Sequence, residues 1–114
     1  MRRGLTALLL LGACAAPGPD AVPRGCDGRI TVTNAAPQAV EQLYASRAGG
    51  VDWGRDRLDA AGVPAGATRG FAVTPGRNSL RIVFSNGRAA EIANVDVCGT
   101  PRVTVTEQGI AATP

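Results

Sequence analysis

Leu80, Ile82 and Phe84 alternate with Ser79, Arg81 and Val83, and the run ends at Asn86 and Gly87. Side chains repeating every second residue occupy one face of an extended chain, so this segment reads as a half-buried strand. Asn-Gly is the pair that best tolerates two successive positive-φ positions, and it predicts a type I′ hairpin whose return arm is residues 89–98. The same period recurs in Ile30 and Val32 against Arg29, Thr31 and Thr33, in Phe71 and Val73 within residues 67–74, and in Val103 and Val105 within residues 102–107. Residues 40–46 form a further strand, but the apolar phase slips between Val40 and Leu43, so a bulge is expected there. Pro64 with Gly66, and Pro75 with Gly76, supply turns, and no stretch carries a helical period. These features predict an all-β chain folded as a small antiparallel β-sandwich of about six or seven strands, with a small β-barrel as the alternative.

A chain of 114 residues, with one Trp, one Tyr and two Phe, must build its core from Val, Ile, Leu and Ala. So small a core needs reinforcement, and the three cysteines offer it. Cys26 and Cys98 are the pair left once Cys14 is accounted for, and outside a reducing compartment two thiols most economically form a disulfide. A cysteine-based metal centre would lack its third and fourth ligands, so no metal and no cofactor is expected.

The composition also bounds the chemistry. There is no His, and all twelve basic residues are Arg, which removes the commonest general base and every Lys nucleophile. Catalysis would fall to Tyr44, Ser46, Asp52, Asp56 and Asp59, and a carboxylate pair of the glycosidase type needs a deep cleft to raise one pKa. A non-enzymatic protein is the expectation, with a carboxylate-dependent hydrolase as the weaker reading. The net charge of +3 includes Arg2 and Arg3. Without them ten Arg face nine acids, interleaved along the chain, so no nucleic-acid partner is expected.

Arg2 and Arg3 precede a seven-residue apolar stretch, Leu5 to Leu11, and then Gly12, Ala13 and Cys14. The stretch is too short to span a bilayer, which takes about 20 apolar residues. Leu11-Gly12-Ala13-Cys14 resembles the lipobox of bacterial lipoproteins, in which cleavage precedes a Cys that carries lipid on its sulfur. Ordinary signal cleavage after Ala15 is the alternative. The resemblance implies a signal peptide over residues 1–13 and a membrane anchor at Cys14, and Ala15 after it implies the periplasmic face of the outer membrane. Residues 14–25, rich in Pro and small residues, read as a tether. Residues 26–108 form the domain and residues 109–114 a flexible C-terminus.

Between the second and third strands, residues 47–66 are longer than compact domains normally leave without a strand, so function is expected there. Asn34, Tyr44 with Ser46, Trp53 with Gly54, Asp56 and Leu58, Pro64 with Gly66, Leu80 with Arg81, Gly87 and Cys98 together resemble a family of small exported bacterial β-sandwich domains with a Trp-Gly-x-Asp-x-Leu segment. Members often place a Cys near the position of Arg77 to pair with the late one, whereas here the partner is Cys26. The resemblance implies an exported β domain and no particular activity.

Trp53, Arg55 and Asp56 are the candidate site residues. In one reading Trp53 plugs an end of the sandwich, Gly54 permits a sharp turn, Asp56 accepts backbone hydrogen bonds and Leu58 anchors the loop. In the other Trp53 is an exposed stacking platform for a sugar or peptide, with Asp52, Arg55 and Asp56 as polar contacts. The function expected is a lipid-anchored binding or structural module that meets another envelope protein or peptidoglycan. The alternative is a periplasmic enzyme inhibitor inserting the 47–66 loop into a foreign active site.

Overall fold

A computed structural model describes residues 26–47 and 52–114. The signal peptide and tether expected over residues 1–25, with Cys14, lie outside the described residues, as do residues 48–51 of the long segment. Seven strands are present: β1 (Arg29–Asn34), β2 (Val40–Arg47), β3 (Thr68–Ala72), β4 (Arg77–Phe84), β5 (Ala89–Asp96), β6 (Arg102–Thr106) and β7 (Gly109–Thr113). They form a four-stranded sheet of order β3-β1-β6-β7 and a three-stranded sheet of order β2-β4-β5. The alternation read from the sequence is the alternation of burial: Ile30, Val32, Leu80, Ile82, Phe84, Val103 and Val105 face inward and meet Leu43, Phe71 and Val95 in one core. The fold is the expected β-sandwich.

The bulge in β2 lies where the apolar phase slips. Val40 pairs with Phe84 and Gln42 with Val83, so Glu41 is the extra residue, and both Val40 and Leu43 stay buried. A second bulge, not foreseen, lies in β5. There Val95 pairs with Asn78 and Ile92 with Leu80, and Asn94 takes a positive φ of 60°. Asn is the residue after Gly that best tolerates this region, and the extra residue turns Val95 and Val97 into the core.

Three further features differ from expectation. The β4–β5 hairpin is not type I′: Gly87 alone has positive φ (89°), Gly87 N–H bonds to the Phe84 carbonyl, and Phe84 N–H bonds to the Arg88 carbonyl. This is a three-residue loop, a type I turn closed by a left-handed Gly, in which Asn86 instead accepts the Arg88 N–H on its side chain. Residues 109–113 are not a flexible tail but the strand β7, paired antiparallel with β6, so the domain runs past residue 108. Ile110 and Ala112 pack against the core margin, and a strand with one large apolar side chain among Gly and Ala carries little periodic signal. Finally, β1 and β6 pair in parallel, with Val32 opposite Val103, while the remaining pairs are antiparallel.

Cys26 and Cys98 form a disulfide with Cα atoms 5.2 Å apart. Cys26 precedes β1 in one sheet and Cys98 follows β5 in the other, so the bond ties the two sheets together at one end.

Candidate functional site

The long segment after β2 is largely an edge cover. β2 is a border strand of its sheet, and its outward backbone groups from Val40 to Leu43 and the Ala45 carbonyl are taken up by the returning chain. Val40 and Val63 exchange both backbone hydrogen bonds, at 3.0 and 2.9 Å. Leu43 donates to Asp56 Oδ1 at 2.9 Å and accepts from Arg57 N–H at 2.7 Å. The Arg57 guanidinium then reaches both sheets, donating to the Ala45 carbonyl at 3.2 Å and the Ala72 carbonyl at 3.3 Å. Farther on, Asp59 and Arg69 form an ion pair at 3.2 Å, and Arg69 lies 5.4 Å from the Phe71 ring centroid. Hydrogen bonds from Arg69 and from the Ala61 backbone hold the exposed Asp59 carboxyl below its ordinary pKa.

A buried Asn34 holds the other end of the segment. It shares the inward phase of Ile30 and Val32, and its amide donates to the Gln38 carbonyl at 2.8 Å and the Val63 carbonyl at 3.0 Å while accepting Ala36 N–H at 2.9 Å. Every one of these partners is backbone, so Asn34 joins the β1–β2 turn to the returning loop and is an architectural residue.

The candidate residues divide between this edge cover and open solvent. Asp56 accepts from both Leu43 and Leu58 backbone N–H groups on one oxygen, which is the structural role expected of it. Arg55 is exposed and makes no side-chain hydrogen bond among the described residues. Gly54 takes a φ of 72°, and its N–H is received by Asp52 Oδ1, which makes the turn. Of the motif, Leu58 packs against the core, while Trp53 is half-buried and is not among the side chains packed on that core. Of the other groups weighed for catalysis, the Tyr44 hydroxyl bonds Gln42 at 2.6 Å, on the outer face of the sheet.

Trp53 instead walls an open groove of about 360 Å³ at the end of the sandwich where β2 ends and β4 begins. Ala45, Ser46, Arg57, Thr74 and Asn78 line it with Trp53. Asn78 is only 2% exposed. Its Nδ2 donates to the Thr74 carbonyl at 2.8 Å and the Gly76 carbonyl at 3.3 Å, while its Oδ1 has no donor among the described residues. The indole N–H of Trp53 likewise has no acceptor among them. Among the described residues, one groove is thus lined by a half-buried indole whose N–H has no acceptor and by a buried Asn78 whose Oδ1 has no donor, and buried acceptors are ordinarily satisfied.

Sequence reasoning missed Asn78, Thr74 and Arg57. For Asn78 a signal existed: it shares the inward phase of Leu80, Ile82 and Phe84, where a polar residue is out of place unless it is used. Nothing in the residue order marks Thr74 or Arg57. Comparison with protein-family models, with curated proteins and with solved structures finds no match to this chain.

Proposed function

We propose that this chain is an exported, non-enzymatic binding or structural module of the bacterial cell envelope. Lipid on Cys14 holds it to the membrane, on the periplasmic face of the outer membrane, and it presents its sandwich to another envelope protein or to peptidoglycan. The observation that carries this reading is the Cys26–Cys98 disulfide, because such bonds persist outside the reducing cytosol. It supports the export signal read in residues 1–13, while the anchor rests on the lipobox of Leu11 to Cys14 alone. The fastening of residues 56–63 to β2 favours a module with a fixed surface over an inhibitor, whose loop must stand clear of its body to enter another active site.

Metabolic labelling with a fatty acid tests the anchor. The expected result is label on the parent protein, none on Cys14→Ser, and accumulation of the unprocessed variant in the membrane fraction. An unlabelled soluble protein beginning at Ala16 overturns the lipid anchor in favour of ordinary cleavage.

A further inference from the structure

We infer that the groove between Trp53 and Asn78 is a saccharide site that takes one pyranose ring of a glycan. This deepens the binding-module reading and rests on it, but it does not depend on the lipid anchor. A pyranose ring presents a face of C–H groups and a rim of hydroxyls. Trp53 offers a half-exposed indole for the first, because an aromatic side chain can be apolar on its face and hydrogen-bonding at its edge. The rim needs acceptors and donors held in place. Asn78 Oδ1 is an acceptor fixed by the two bonds its own Nδ2 makes to Thr74 and Gly76, so little ordering is required when a hydroxyl or an amide N–H arrives. The indole N–H, the exposed Thr74, Ser46, and the charged groups of Arg47, Asp52 and Arg57 stand around it.

The buried Asn78 distinguishes this groove from an incidental hollow. An acceptor that has left water without gaining a partner costs free energy, and a ligand that satisfies it recovers that cost. The depression bounded by Glu41, Asp56 and Asp59 lacks this property, since Asp56 and Asp59 are already engaged by backbone and by Arg69. A peptide strand is the less suited occupant, because on the border of β2 that lines the groove the Ala45 carbonyl is already taken by the Arg57 guanidinium.

Trp53, as the only tryptophan, reports on the groove directly. The full chain in detergent is titrated with triacetylchitotriose, maltotriose and trialanine while emission is followed. A saturable change is expected with a trisaccharide, at concentrations of about 0.1 to 10 mM as suits a single ring held by few groups. Response to both sugars assigns recognition to the ring, and response to triacetylchitotriose alone adds the acetamido group; either supports the inference. No response to either sugar, or response to trialanine only, overturns it. Asn78→Ala is expected to weaken the response at least about tenfold, the equivalent of one buried hydrogen bond. Should that variant fail to fold, Trp53→Ala serves, since Trp53 lies outside the core. Saturation-transfer NMR on the sugar should then show no transfer from the Trp53→Ala protein, and undiminished transfer overturns the assignment. A Cys14→Ser protein, extracted in the same detergent, that still binds sugar separates failure of the anchor from failure of the groove.

Discussion

Asp56 and Leu43 are joined at 2.9 Å, carboxylate oxygen to backbone N–H, and the same oxygen receives the N–H of Leu58 at 3.0 Å. One side chain thus closes the border of β2 and fixes the turn of its own segment. Asp56→Ala is expected to destabilise the domain by about 2 kcal/mol, since two backbone donors lose their acceptor. Asp56→Asn keeps an oxygen in place and is expected to cost about half as much. Urea unfolding of the three proteins measures both.

Trp53 and Leu80 are expected to behave oppositely. Leu80 is fully buried in the core, and Leu80→Ala should cost about 2–5 kcal/mol through lost packing and the cavity left behind. Trp53→Ala, outside the core, should cost about 1 kcal/mol or less. Emission from Trp53 in the parent should be accessible to acrylamide, and a Trp53→Ala variant that melts far below the parent would restore the plug.

Loss of the Cys26–Cys98 bond should remove about 4 kcal/mol, because the bond closes a loop between residues 72 apart in sequence. Chemical denaturation of the Cys26→Ser, Cys98→Ser double variant gives the difference. Intact mass after alkylation under non-reducing, denaturing conditions should show neither thiol labelled.

Asp59 supplies a pH dependence of definite sign. Its hydrogen bonds from Arg69 and the Ala61 backbone lower its pKa in the folded protein. A lowered carboxylate pKa stabilises the fold above the unfolded pKa, and that contribution disappears as pH falls through the folded value. The parent should therefore lose more stability between about pH 6 and about pH 2.5 than Asp59→Asn does, and salt should narrow the difference. Urea midpoints at the two pH values decide it.

The strands were legible because Val, Ile and Leu alternate with polar residues, and the β2 bulge because Val40 and Leu43 break that phase. The β5 bulge left the same kind of mark between Ile92 and Val95, but Ala and Asn around it diluted the contrast. The hairpin at Gly87 differed from expectation because Asn-Gly serves a three-residue loop as readily as a two-residue one, depending on where Phe84 and Arg88 pair. The candidate site was legible only in part. Trp53 and Asp56 stood out by type, yet whether each was used up by backbone or left open depends on their neighbours Leu43 and Asn78, which are distant in sequence.

The parallel pairing of β1 with β6 sets an order of events during synthesis. β2, β4 and β5 are all available once Asp96 has emerged, so the three-stranded sheet has its complete membership first. β1, made earliest of the seven, finds β3 midway but must then leave its other border open until Val103 and Val105 arrive. For most of that interval the oldest strand of the domain is also its most exposed template for mispairing. Chains stopped shortly after Asp96 should accordingly resist protease in β2, β4 and β5 while being cut or aggregating through β1. The late strand β6 is thus what makes the early strand β1 safe.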